Sequence, residues 1–218
     1  MKILAIGAHP DDIEFGCGGT LSLHVKAGHD VYLLIMTEGS EGGDQLVRKG
    51  EQEQAVALLK PKALFWGGYH DTDLTPHMNQ LVHDIEGVLM KIEPDLIFVN
   101  YEEDTHQDHR ALAKAAISAT RYVKNVLFYE GPTTQKFSPQ VFVDIKETIE
   151  DKISLLLAHH SQVMKTNIEG LSIVDVARST ALFRGVQGRV HFAEGFIPLR
   201  YFMRMRKPYD TTLSSNRP

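Results

Sequence analysis

Short apolar runs and amphipathic stretches alternate along most of the chain. The apolar runs fall at residues 2–7, 31–36, 63–67, 95–101, 125–130 and 141–145, with helix-like patterns near 17–28, 47–60, 77–92, 109–122 and 145–158. Apolar runs this short suit strands covered on both faces, and the stretches between them are long enough to serve as crossover helices. The pattern predicts an α/β fold with a mostly parallel central sheet between two layers of helices. A further helix is expected near 171–184 and a late strand over 194–205. From Lys207 onward the chain is polar and expected to fray, so one domain over 1–206 and a tail over 207–218 are expected. Right-handed crossovers from a first strand in mid-sheet set the first and fourth strands side by side. There the strand order reverses, and there open α/β sheets bind their ligands.

Two clusters of ionisable residues follow those two strands. The first is Ala8-His9-Pro10-Asp11-Asp12, and the second is His106-Gln107-Asp108-His109. Catalytic zinc takes three nitrogen or oxygen ligands and leaves one position for water, whose pKa it lowers to about 7. His9, Asp12 and His109 fit the three ligand places, and Asp11 is placed to take the proton of that water. His106 is expected to act as general acid or oxyanion partner, with Asp108 holding its other ring nitrogen. The plainer readings are a helix-capping turn at 9–12 and an ordinary loop pair at His106 and Asp108; the joint occurrence at two strand ends favours a metal site. Gly16, Gly18 and Gly19 do not make a dinucleotide fingerprint, because Leu21 stands where its last glycine belongs. The glycine-rich, acidic segment 38–44 is expected to form a rim loop over the cleft. Arg48 and Glu51, one helical turn apart, have a solvated ion pair as their plainer reading, and His159-His160 a helix end.

Length and charge narrow the function classes. At 218 residues, 43% hydrophobic, the chain suffices for one sizeable core. A net charge of −5 offers no excess of cations for nucleic acid or an anionic membrane. A single cysteine, Cys17, excludes an intrachain disulfide and a Cys-rich zinc motif, and fits a reducing, cytoplasmic setting. No apolar stretch approaches the ~20 residues of a membrane span, and the first strand starts at Lys2 without a signal-peptide pattern.

Taken with Arg48-x-x-Glu51, His159-x-Ser161-Gln162 and Ala193-Glu194-Gly195-Phe196, the two clusters resemble the PIG-L, or LmbE-like, family of zinc-dependent N-acetyl-sugar deacetylases, in order over residues 2–200. The resemblance implies a Rossmann-like three-layer sandwich. It also implies hydrolysis of the acetamide of a glucosamine-type sugar, often one linked to inositol, malate or another sugar, by direct attack of zinc-bound water. It carries one Zn2+ to His9, Asp12 and His109, the base role to Asp11, the acid or electrostatic role to His106 with Asp108, and substrate contact to Arg48. Its substrates are small molecules, and its members are often oligomeric. Several relatives carry a tyrosine where this chain has Phe192, which offers no donor to an oxyanion. Two other readings compete: a different zinc amidase or phosphoesterase using the same ligands, and a sugar- or nucleotide-binding module without catalysis. Phosphate chemistry calls for more cations than Arg48 alone, and a binding module gives Asp11 and His106 no task.

Overall fold

A computed structural model of the chain describes residues 1–202. The predicted tail over 207–218 lies outside the described residues. In chain order the elements are β1 (Lys2–Gly7), α1 (Asp12–Lys26), β2 (Asp30–Thr37), α2 (Gln45–Leu59), β3 (Ala63–Tyr69), α3 (Met78–Ile92), β4 (Leu96–Asn100), α4 (Gln107–Ala119), β5 (Val126–Tyr129), β6 (Val141–Asp144), α5 (Ile149–Ala158), α6 (Ile173–Gly188) and β7 (Ala193–Arg200). Seven strands form one sheet in the order β3-β2-β1-β4-β5-β7-β6. The first five run parallel, and β7 is antiparallel to both β5 and β6.

Alternate residues of each central strand feed two separate cores, as the period of two requires. Leu4, Ile6, Leu34, Ile97 and Val99 pack under α3 and α4. Ile3, Ala5, Leu33, Ile35 and Phe98 pack on the other face, under α1, α2 and α5. The adjacency of β1 and β4 predicted from the sequence is present, in register from Ile3 opposite Leu96 to Ile6 opposite Val99. Their carboxyl ends therefore open side by side.

A buried latch lies beneath those ends. The Tyr129 hydroxyl on β5 lies 2.8 Å from the Ile6 carbonyl oxygen and 3.0 Å from Asn100 Oδ1, which share its one proton, and Asn100 Oδ1 also accepts from Ala8 N–H at 3.2 Å. Gly16 on α1 admits the Tyr129 ring, since a Cβ there would stand 2.0 Å from Tyr129 Cδ2. Helix α1 is broken at Cys17, whose φ of −146° is not helical. A break of this kind frees amide N–H groups inside the helix. Here Glu194 of β7 accepts from Gly19 N at 3.0 Å and Thr20 N at 2.7 Å, and buried Lys152 of α5 balances its charge at 2.5 Å.

Candidate active site

The turn from β1 into α1 places His9, Asp11 and Asp12 at the sheet's carboxyl edge. Asp11 is the N-cap in a left-handed conformation, φ +88°, unusual for a residue with a side chain. Its neighbour Asp12 accepts from His9 N–H at 2.9 Å, which folds the turn back on itself. From the adjacent strand, β4 leads to His106, the N-cap of α4, with Asp108 and His109 in the first turn.

Three imidazoles meet there. The His106 ring stacks on His109 at 4.8 Å between centroids and meets His9 edge-on at 4.5 Å. Asp12 stands between the two predicted histidine ligands: Oδ2 is 3.5 Å from His9 Nδ1, and Oδ1 is 3.1 Å from His109 Nε2. Ligand atoms around a tetrahedral ion with bonds of about 2.0–2.2 Å lie about 3.3 Å apart, so these separations fit such an ion. Each histidine also turns its other nitrogen to carboxylate. His9 Nε2 lies 2.9 Å from Asp71 Oδ1 and 3.2 Å from Asp108 Oδ2, and His109 Nδ1 lies 3.2 Å from Asp104 Oδ2. A carboxylate behind each ligating imidazole is the usual outer support of a metal site. Two overlapping groups, His9 with His106 and His109 and His9 with Asp71 and Asp108, have ligand atoms all within 4.8 Å of one another. Asp12 belongs to neither group, although its two oxygens stand one against His9 and one against His109; imidazoles and carboxylates gathered this closely suit a divalent cation.

Charge follows the same geometry. Burial pulls the His9 imidazole down, but Asp108, Asp12 and Asp71 push it well above its usual range. His109 is likewise lowered by burial and raised by Asp12 and Asp104, to about 9. Burial raises Asp12, yet His109 and His9 hold it well below the carboxylate range. His106 is lowered by burial and by the charges of His9 and His109. Asp11 is pushed up by burial, with the Arg48 guanidinium pulling against it.

Two sequence expectations need correction. Asp108 does not hold the His106 ring: its carboxylate accepts from Thr72 N at 2.7 Å and Leu74 N at 3.2 Å and faces His9. The link runs through the backbone instead, Asp108 N–H donating to His106 Nδ1 at 3.2 Å, which leaves the proton of a neutral ring on Nε2. Arg48 and Glu51 are both buried, and neither pairs with the other. Arg48 donates to Gly39 O, Pro10 O and Asp11 Oδ2 at 3.0, 2.7 and 3.1 Å, lashing the loop 38–44 to the first cluster. Gly39, at φ +69°, leaves room for that guanidinium. Glu51 accepts from Ser161 N and Oγ at 2.7 and 2.8 Å, fixing the segment after α5. Phe192 packs against Ile145, Ile149 and Ala181. It does not line the cleft.

A cavity of about 660 Å³ covers the cluster, with His9, Asp11, Asp12, His106, His109 and Arg48 all on its walls. Sequence reasoning missed Asp71 and Asp104. Asp71 could have been found by the rule used for the clusters, because it follows the carboxyl end of β3.

Comparison with known proteins agrees with this architecture. The match to PIG-L, described as GlcNAc-PI de-N-acetylase, spans residues 4–120 and so contains both clusters. The chain belongs to the PIG-L family. A relative from Escherichia coli strain K12, named uncharacterized deacetylase YaiS, is 34% identical over 167 residues, covering 73% of this chain and 90% of that protein. The diacetylchitobiose deacetylase of Thermococcus kodakarensis is 28% identical over 232 residues, covering 90% of this chain and 83% of the relative. Among solved structures, the N,N'-diacetylchitobiose deacetylase of Pyrococcus horikoshii superposes with a TM-score of 0.80 at 27% identity, over 91% of this chain and 83% of that one.

Proposed function

We propose that this PIG-L protein is a zinc-dependent hydrolase that removes the N-acetyl group from an N-acetylglucosamine-type sugar or conjugate. The observation that carries the reading is the pair of imidazoles sharing Asp12, each backed by carboxylate, on the wall of a cavity that Asp11 also lines. The deacetylases among its relatives supply the substrate class. His9, Asp12 and His109 would hold the ion, which when bound supplies a Lewis acid for the acetamide carbonyl and lowers the pKa of water to about 7.

Asp11 takes the proton of the attacking water as its oxygen bonds to the acetyl carbon. The free Nε2–H of His106 donates to the carbonyl oxygen as charge gathers on it. When the C–N bond breaks, the amine takes the proton held by Asp11, and acetate and the amino sugar leave. Asp108 keeps His106 and His9 in place, and Arg48 orients Asp11 while presenting the remainder of its guanidinium to the sugar. A single buried, unpaired cysteine fits the cytoplasm as its compartment. A phosphoesterase is not favoured, because Arg48 and Lys165 are the only Arg or Lys side chains lining the cavity among the described residues.

The test is elemental analysis combined with amine release from N-acetylglucosamine and diacetylchitobiose. Wild type is expected to carry one zinc and release amine, and His109→Ala to lose both. Stoichiometric metal in His109→Ala would overturn the ligand assignment, and no amine release from any N-acetylated sugar would overturn the activity.

A further inference from the structure

The cavity has two unlike ends. His9, Asp11, Asp12, His106 and His109 supply one polar part of its lining, and an apolar part is built by Phe15 of α1, Leu156 of α5, Ile173 and Val176 of α6, and Ile168 and Leu171 of the segment between those two helices. Ile168 is 60% exposed, an apolar side chain left in water at the mouth of the cleft. The segment is tied to the opposite rim, since Gln162 Nε2 donates to Gly42 O at 3.3 Å and Lys165 Nζ donates to the same oxygen.

A hexose finds no partner for its hydroxyls on that wall, because Leu, Ile, Val and Phe offer none, whereas an alkyl chain has no hydroxyls to satisfy. At about 660 Å³ the cavity is in the range that encloses a drug-sized ligand, about 300–1,000 Å³, which leaves space beyond one sugar. Both cations already carry hydrogen bonds to protein oxygens, Arg48 to Gly39, Pro10 and Asp11 and Lys165 to Gly42, so neither is a free counter-charge for an anionic aglycone. His159 also lines the cavity, buried, with its Nε2 turned toward the Glu14 carboxylate at 3.7 Å.

We propose that this wall is a subsite for an apolar aglycone, so that the preferred substrate is an amphipathic N-acetylglucosaminide carrying an alkyl group. This refines the deacetylase reading and rests on it. It also departs from the inositol, malate or sugar aglycones that the family resemblance implies.

The test is kcat/KM on methyl, butyl and hexyl N-acetylglucosaminides and on a hexyl analogue ending in carboxylate. In the wild type the value is expected to rise about threefold to fourfold per added methylene over the first carbons, the ~0.8 kcal/mol of a buried CH2. The carboxylate analogue is expected to lose most of that gain. Leu171→Asp, and Ile168→Asp at the exposed mouth in case the first fails to fold, are expected to flatten the series. A flat wild-type series with methyl glycoside still turned over would overturn the subsite and leave the deacetylase reading intact. Were no glycoside turned over, calorimetric titration of the corresponding alkyl glucosaminides decides: affinity rising with chain length and lost in Ile168→Asp supports the subsite, and chain-independent or absent binding overturns it.

Discussion

Asp11 is held in a left-handed conformation that costs a side-chain-bearing residue about 1–3 kcal/mol. Such strain persists where its surroundings over-determine it, and here they are the Arg48 contact, the Phe15 N–H bonded to the Asp11 carbonyl, and the Asp12 carboxylate folded back on His9. Asp11→Asn keeps the shape and removes the proton acceptor. It is expected to keep its metal and lose about 10²–10⁴-fold in kcat, measured by amine release alongside elemental analysis. Asp104→Asn tests the support behind His109. The carboxylate is held by Thr133 and Thr134 hydroxyls at 2.7 and 2.8 Å, so its loss is expected to weaken zinc affinity about 10–100-fold in a competitive chelator titration, with the fold intact by circular dichroism. At this scale the sequence marked the proposed metal ligands more plainly than the side chains behind them. His9, Asp12 and His109 lie within two tight motifs, whereas Asp71 and Asp104 come from separate loops that the fold alone brings to them. The pairing of His106 with Asp108 failed because residues two apart at a helix start do not face each other.

Most elements fall within a few residues of their apolar runs, because a buried strand flanked by polar turns is marked at both ends. Helix α1 is the exception. It begins at Asp12, five residues before the amphipathic pattern does, since Asp12, facing His9 and His109, and Glu14, accepting from Gln52, are both buried and break the periodicity that reports a helix. The antiparallel run of β7 was equally hidden, for alternation reads the same in either direction. What Ala193-Glu194-Gly195-Phe196 contributes is visible only in three dimensions: Glu194 caps the broken α1. Glu194→Gln leaves the Lys152 ammonium buried without its counter-charge and is expected to cost about 3–5 kcal/mol in urea unfolding. A cost under about 1 kcal/mol would show that the contact is not structural. The segment after α5 owes its path to Glu51 on α2, and the apolar wall of the cavity hangs from that anchor.

On the scale of the molecule, metal binding and folding are coupled, since the proposed ligands come from two distant stretches of chain. An ion that binds the folded state at a hundred times its Kd adds about 2.7 kcal/mol. For a chain of this size that is a rise of roughly 5–10 °C in Tm. Scanning calorimetry is expected to show that shift between chelated and zinc-loaded wild type and no shift in His109→Ala; equal shifts in both would place the ion elsewhere. The cap on α1 adds a constraint in time. Its acceptor arrives 175 residues after the Gly19 amide that it satisfies. Made at roughly 5–20 residues per second, a growing chain waits about 9–35 s between the two. Throughout that interval the helix that opens at Asp12 has its broken middle uncapped, so in a nascent chain the proposed metal site is expected to stay immature until β7 is made.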